Sequence, residues 1–222
     1  MARPLALGVL LSGSGTNLQA LIDAIAAGRV DGRIAVVVSN DPEAYGLARA
    51  RTHGLPVETV RHAEFPSRAT FDTRLVEVLR AHGVELVLLA GFMRLVTRVL
   101  LDAFPERVLN IHPALLPAFP GLHAERQALA HGVRISGVTV HFVDEQADHG
   151  PIFLQAAVPV FPDDTEESLH LRIQHQEHRL YPLAVQLIAE GRVRIEGRRV
   201  LITDAPVRAD AALANPDPGE LR

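Results

Sequence analysis

Val108-Leu109-Asn110-Ile111-His112-Pro113, continuing as Ala114-Leu115-Leu116-Pro117, is the stretch whose reading decides the rest. Val108 to His112 alternates apolar and polar over a length that fits one buried strand. Side chains alternate faces along a strand, so Asn110 and His112 point the same way and Leu109 and Ile111 pack behind them. Pro113 has no N–H for a sheet ladder, so the strand stops there and leaves both polar groups at its carboxyl end. Open parallel sheets bind their ligands at that end. An amide donor beside an imidazole is the equipment for stabilising a developing oxyanion and moving a proton. For an isolated Asn-x-His, a plain hydrogen-bonded strand end explains as much, and the flanking sequence has to decide.

The surrounding composition narrows the class. At 222 residues the chain can bury one substantial core. The formal net charge of −4 gives no global basicity of the kind nucleic acid or an anionic membrane would call for. There is no cysteine, which removes disulfides, thiolate metal sites and a cysteine nucleophile, and which fits a cytoplasmic protein. The first apolar run, Leu5 to Leu11, is too short for a secretion signal, and no run approaches the roughly 20 residues of a membrane span. The expectation is a soluble intracellular protein.

Outward from the central strand, short apolar runs alternate with helical stretches. Leu5–Leu11, Ile34–Ser39, Pro56–Val60 and Leu86–Ala90 read as strands. Asn17–Ala27, Ala44–His53, Ser67–His82 and Val96–Phe104 read as helices, three of them stopped by Gly28, Gly54 and Gly83. This rhythm predicts an α/β fold: a mostly parallel, doubly wound sheet with helices on both faces. After a helix over His123–His131 the pattern changes. Two longer strands, Ile135–Phe142 and Ile152–Val160, flank a polar loop and predict an antiparallel C-terminal extension. A long helix spans Thr165 to Glu190, with Asp164 and Glu167 spaced as a capping box and Pro182 expected to kink or split it. Val193–Ile195 and Val200–Ile202 suggest a hairpin. Residues 1–203 thus make a single domain, and 204–222, rich in Ala, Asp and Pro, a loose tail.

Several segments carry chemistry. Ser12-Gly13-Ser14-Gly15-Thr16-Asn17 joins the first strand to the first helix, where free helix-start N–H groups form an anion site and Thr16 and Asn17 add side-chain donors. It lacks Gly-Lys-Ser/Thr, and Leu18 replaces the third glycine of a dinucleotide fingerprint, so on its own it is as much a tight turn as a phosphate cradle. Ala90-Gly91-Phe92-Met93-Arg94 ends the fourth strand, where Phe92, Met93 and Leu95 could wall an apolar pocket. Asp148, in the acidic loop Asp144–Pro151, is the carboxylate best placed to cross over to His112. His141, inside a strand, reads as a structural histidine. His170, His175 and His178 share a helix with Glu177, but their spacing is not His-Glu-x-x-His and no third ligand offers itself, so no metal is expected. Gln174 and Glu177, three apart, could read a substrate's hydroxyls and amine.

Together these motifs resemble the folate-dependent formyltransferases, in particular the phosphoribosylglycinamide formyltransferase family of purine biosynthesis. Ser12 to Gln19, Leu89 to Arg94, Asn110 to Pro117, Pro120 to His123 and Gln174 to His178 carry the resemblance in order. It implies transfer of a formyl group from 10-formyltetrahydrofolate to the primary amine of glycinamide ribonucleotide, without metal, nucleic acid or membrane, and is compatible with a homodimer. Gly15, Thr16 and Asn17 would hold the substrate phosphate, with Gln174 and Glu177 also on the substrate. Arg68, Met93, Arg94, Leu95, Val96 and Asn110 would meet the folate. Asn110, His112 and Asp148 would be catalytic, Asp148 favouring the charged imidazole. Two residues depart from the family pattern: His149 stands where glycine is usual, and Ala118 where a longer polar residue is common. Related classes are a formyltetrahydrofolate hydrolase and a methionyl-tRNA formyltransferase, whose extra N- and C-terminal domains find no counterpart before Leu5 or after Glu190. A non-catalytic nucleotide-phosphate-binding module would need only the glycine loop, and a metal-dependent hydrolase would need a ligand set.

Overall fold

The computed structural model describes residues 3–205 and Asn215. The strands are β1 (Leu5–Leu11), β2 (Gly32–Ser39), β3 (Val57–Thr59), β4 (Leu86–Leu89), β5 (Val108–His112), β6 (Ile135–Phe142), β7 (Ile152–Pro159), β8 (Val193–Glu196) and β9 (Arg199–Ile202). The helices are α1 (Thr16–Ala26), α2 (Tyr45–Thr52), α3 (Arg68–Ala81), α4 (Arg98–Ala103), α5 (Ala124–His131) and α6 (Glu166–Ala189). All strands join one sheet in the order β3-β2-β1-β4-β5-β6-β7-β9-β8. β3 to β5 run parallel, β6 is antiparallel to both neighbours, and the β8–β9 hairpin joins through a single β7–β9 pair, Ile152 with Arg199.

The apolar runs are buried on both faces, as central strands of a parallel sheet must be. Leu7, Val9 and Leu11 of β1 face a core that includes α1, α2, α5 and α6, while Ala6 and Leu10 face a second core with α3 and α4. The doubly wound α/β arrangement expected from the alternation is therefore present. β1 and β4 are neighbours although β2 and β3 intervene in the chain. Their carboxyl ends form the topological switch point, the crevice where such sheets place ligands.

Two local expectations are corrected. The capping box of α6 is made by Thr165 and Ser168, one residue on from Asp164 and Glu167. The Asp164 carboxylate is taken by Arg172, at 2.7 and 2.9 Å, which leaves the threonine hydroxyl to accept from Ser168 N–H at 3.1 Å. Pro182 does not split the helix, which runs unbroken from Glu166 to Ala189. Tyr181, Pro182, Ala184, Val185 and Ile188 are all buried there, and this packing outweighs the backbone hydrogen bond that proline forfeits. A short 3₁₀ turn at His62–Glu64, not foreseen, follows β3. The loose tail expected over 204–222 lies outside the described residues except for its first two positions and Asn215, whose amide donates to the carbonyls of Arg134 and Val160.

Candidate active site

The crevice at the switch point is stitched together by one small side chain. Ser12 follows β1; its N–H donates to Gly91 O at 3.0 Å, and its hydroxyl accepts from Met93 N–H at 2.8 Å and meets Asn40 beyond β2. The carboxyl ends of β1, β2 and β4 are thus fixed relative to one another. Gly15 then turns into α1 with φ 71°, and a Cβ there would lie 2.6 Å from Gly46 Cα, so glycine is demanded by both dihedral and space. Gly46 N–H in turn donates to Gly13 O at 3.0 Å. The first-turn N–H groups of α1 have no intrahelical acceptor and are left to an anion. A cleft of about 370 Å³ along α1 is bordered by Thr16, Gln19, Ala20, Asp23, Arg29, Arg49 and His178, two guanidinium groups and one carboxylate among them.

The second cluster forms at the end of β5. Asn110 and His112 do share a face, and the loop after β6 brings Asp148 against both. The carboxylate lies 3.5 Å from His112 Nδ1, accepts from Asn110 Nδ2 at 3.3 Å and from Gly121 N–H at 2.8 Å. His112 is buried, and its Nε2 sits 2.8 Å from Phe119 O. Both ring nitrogens face oxygen acceptors, Phe119 O on one side and the Asp148 carboxylate on the other. Burial opposes charge on Asp148, but the nearby His141, the Gly121 N–H and the charge of His112 outweigh it and hold its carboxyl below the usual range. His141, read from sequence as structural, does donate Nδ1–H to Phe142 O at 2.9 Å. Its other nitrogen, however, accepts from Asn110 at 3.1 Å and stands 3.8 Å from Asp148, inside the cluster. The pairing of Asn110 with His141 across β5–β6 puts it there, a register the sequence did not disclose.

Helix α6 crosses between the two clusters. Buried Tyr181 shares its hydroxyl between the carbonyls of Leu89 on β4 and Leu109 on β5, at 3.0 and 3.1 Å, and so fixes the helix on the sheet. One turn earlier, Glu177 is buried and accepts from Asn17 Nδ2 at 2.9 Å. Burial raises its carboxyl above the usual range against that hydrogen bond and the charge of His170. The Asn17 side chain is thus engaged by Glu177 and does not point out as a free donor, while its backbone N–H is one of the first-turn donors of α1. Another turn back, Gln174 donates to Thr16 Oγ1 at 3.3 Å and to His170 Nε2 at 3.2 Å. His170 Nδ1 pairs with buried Glu125 at 2.8 Å, which raises the imidazole's pKa. That pairing separates His170 from His175 and His178, and among the described residues no three His, Asp or Glu side chains gather as metal ligands.

The segment after β4 supplies the other wall. Met93 and Leu95 are exposed, at 61% and 55%, an unusual display for large apolar residues, with Arg94 and Val96 half-buried beside them. Phe92 is a correction: it is buried, stacked on Phe71 at 6.4 Å, and belongs to the core. Buried Asp72 of α3 accepts from Thr97 N–H and so ties α3 to the end of this wall; Arg68, at the start of the same helix, is exposed. An aspartate on the inner face of an amphipathic helix was the signal available for that link.

With this geometry established, comparison with known proteins places it. The Formyl transferase family profile matches residues 6–185. Phosphoribosylglycinamide formyltransferase of Escherichia coli is 44% identical over 84% of this chain and 88% of its own length. A trifunctional purine biosynthetic protein, adenosine-3, of Drosophila pseudoobscura pseudoobscura is 48% identical over 84% of this chain, which corresponds to 14% of that much longer protein. The crystal structure of glycinamide ribonucleotide transformylase 1 from Symbiobacterium toebii superposes with a TM-score of 0.90 at 58% identity, covering 92% of this chain and 96% of that one. A profile spanning the switch-point loop, the Asn110–His112 strand end, Asp148 and Glu177 leaves no part of the crevice outside it: the chain belongs to the formyl transferase family.

Proposed function

We propose that this chain transfers the formyl group of 10-formyltetrahydrofolate to the primary amine of glycinamide ribonucleotide, a step of purine biosynthesis, in the cytoplasm and with residues 1–203 as one catalytic domain. The observation that carries this reading is the meeting of Asn110, His112 and Asp148 at the end of β5. A phosphate-binding module has no use for that cluster. The folate supplies the formyl carbon, and the chain's own groups do the rest.

The helix start at Gly15–Asn17 holds the phosphate, helped by Thr16 and by the guanidinium of Arg49, which donates to Ser14 O at 2.8 Å. Gln174 reads the ribose hydroxyls, and Glu177, raised toward neutrality by burial, receives the glycinamide end. Arg68, the Met93–Val96 wall and Asn110 receive the folate. As the amine nitrogen adds to the formyl carbon, Asn110 and protonated His112 stabilise the developing oxyanion. Asp148, 3.5 Å from His112 Nδ1, is placed to stabilise the imidazolium as it forms, and the proton released by the amine passes through this cluster to the departing folate nitrogen. Nitrogen is the nucleophile, so the step needs neither a covalent enzyme intermediate nor a metal.

A formyl-transfer assay with glycinamide ribonucleotide, run against other primary amines and against water, tests the reading. Turnover with glycinamide ribonucleotide well above both controls is expected. Equal release of formate to water alone would make the protein a hydrolase.

A further inference from the structure

The β8–β9 hairpin lies beyond residue 185, where the family match ends, yet its turn reaches the loop that carries Asp148. Arg198 Nη2 donates to His149 O at 2.6 Å, and Nη1 lies 3.3 Å from His149 Nε2. His149 Nδ1, itself 3.4 Å from Arg198 Nη1, donates to Asp144 Oδ2 at 2.7 Å, while Asp144 Oδ1 accepts from Gln146 N–H at 3.0 Å. The loop is closed on itself by Asp144 and His149, and Arg198 fastens it to the edge of the sheet. Within it, Asp148 sits at φ 51°, a left-handed position that a non-glycine residue keeps when its surroundings enforce it.

We propose that Arg198 is a positioning residue for Asp148: through His149 it holds the loop so that the carboxylate stays between Asn110 and His112. The clamp has two parts: the peptide carbonyl of residue 149, which accepts from Arg198, and the His149 ring, which pairs with Asp144. The inference rests on the reading that Asp148 acts through His112. Exposed ion pairs contribute little to global stability, so the clamp need not stabilise the fold appreciably. Catalysis is far more sensitive, since a misplacement of about 1 Å can cost on the order of 100-fold in rate. Fixing the peptide carbonyl next to Asp148 restrains displacement on that scale.

The test compares Arg198→Ala, Arg198→Lys, His149→Gly and Asp148→Asn with the wild type for kcat, both KM values, the pH–rate profile and thermal midpoint. The groups facing His112 that shape the profile are Asp148 itself, His141 of β6 and Glu125 of α5. Arg198→Ala should lower kcat about tenfold, move the profile to lower pH in the direction of Asp148→Asn, and leave the thermal midpoint nearly unchanged. Arg198→Lys should recover part of the loss, and His149→Gly, which keeps the carbonyl and loses only the ring, should cost less than Arg198→Ala. Wild-type kcat and profile in Arg198→Ala, with Asp148→Asn shifted, would overturn the clamp alone. Loss of kcat with a matching drop in midpoint and no profile change would also overturn it, as mere structural support. An unshifted Asp148→Asn profile would remove the reading beneath it and the clamp together.

Discussion

The two halves of the crevice are built from different materials. The anion half, around Gly15–Asn17, is backbone: a left-handed glycine, free helix-start N–H groups and a glycine–glycine contact between α1 and α2. The half proposed as catalytic, around Asn110, His112 and Asp148, is side chain: three polar groups from one strand and a loop, held by buried His141 of the neighbouring strand and by hydrogen bonds to loop backbone. A backbone site tolerates side-chain changes but not a change of chain path. A side-chain site tolerates neither loss of charge nor loss of placement, and it leaves the fold intact when it fails. Mutations should therefore separate the halves, with binding and stability responding on one side and turnover on the other.

The sharpest break is expected at Asp148→Asn, which keeps shape and removes charge. kcat should fall by about 100-fold or more, and the activity that depends on charged His112 should be lost at lower pH, with both Kd values little moved. Asn110→Ala should also lower kcat but leave the pH profile in place. A pH–rate series with separate binding titrations decides this, and near-normal turnover in Asp148→Asn would erase the distinction between the halves.

Gly15→Ala attacks the other half through the backbone. A Cβ at φ 71° meets Gly46 Cα at 2.6 Å, and left-handed strain plus overpacking should cost about 2–4 kcal/mol of stability. Denaturant unfolding measures this directly; a loss below about 0.5 kcal/mol would mean that the α1–α2 contact relaxes freely. Thr16→Asp leaves the path alone and adds like charge, so KM for glycinamide ribonucleotide should rise about tenfold with folate affinity unchanged. If folate affinity fell instead, the two halves would have been assigned the wrong way round.

The smallest effect belongs to the Glu125–His170 pair, which links the halves through Gln174. Burial opposes charge on Glu125, but its bond to His170 lowers its pKa from 4.5, while the His170 pKa is raised from 6.5 by Glu125. The carboxylate's contribution to stability is complete above 4.5 and is lost as pH falls through its lowered value. The imidazole's is complete below 6.5 and is lost as pH rises through its raised one. Between those values the pair contributes in full. His170 is half-exposed, so Glu125→Gln should cost less than about 1 kcal/mol there, a difference that chemical denaturation at pH 5.5 and 8.5 would resolve. A larger loss at pH 8.5 would contradict the sign of the pairing.

Much of this was legible in the sequence because it depends on local rules. Alternating apolar runs and glycine stops gave the doubly wound sheet; Asn110-Ile111-His112-Pro113 announced a strand end bearing two polar groups; and Gly-x-Gly before a helix announced a tight turn into a helix start. Asp148 could be selected from its loop because it is the carboxylate next to Gly150-Pro151. What stayed hidden depends on residues distant in the chain. The β5–β6 register made His141 a neighbour of Asn110, the packing of α6 turned Tyr181 onto two strand carbonyls and Asn17 toward Glu177, and the Phe71 stack drew Phe92 into the core. Arg198 is the clearest case. Nothing near it in sequence suggests chemistry, and only the pairing of β9 with β7 brings its side chain to His149. Periodicity and turn chemistry act over a few residues and can be read one segment at a time. Register, helix docking and ion pairs across the sheet depend on which segments meet, and folding alone decides that.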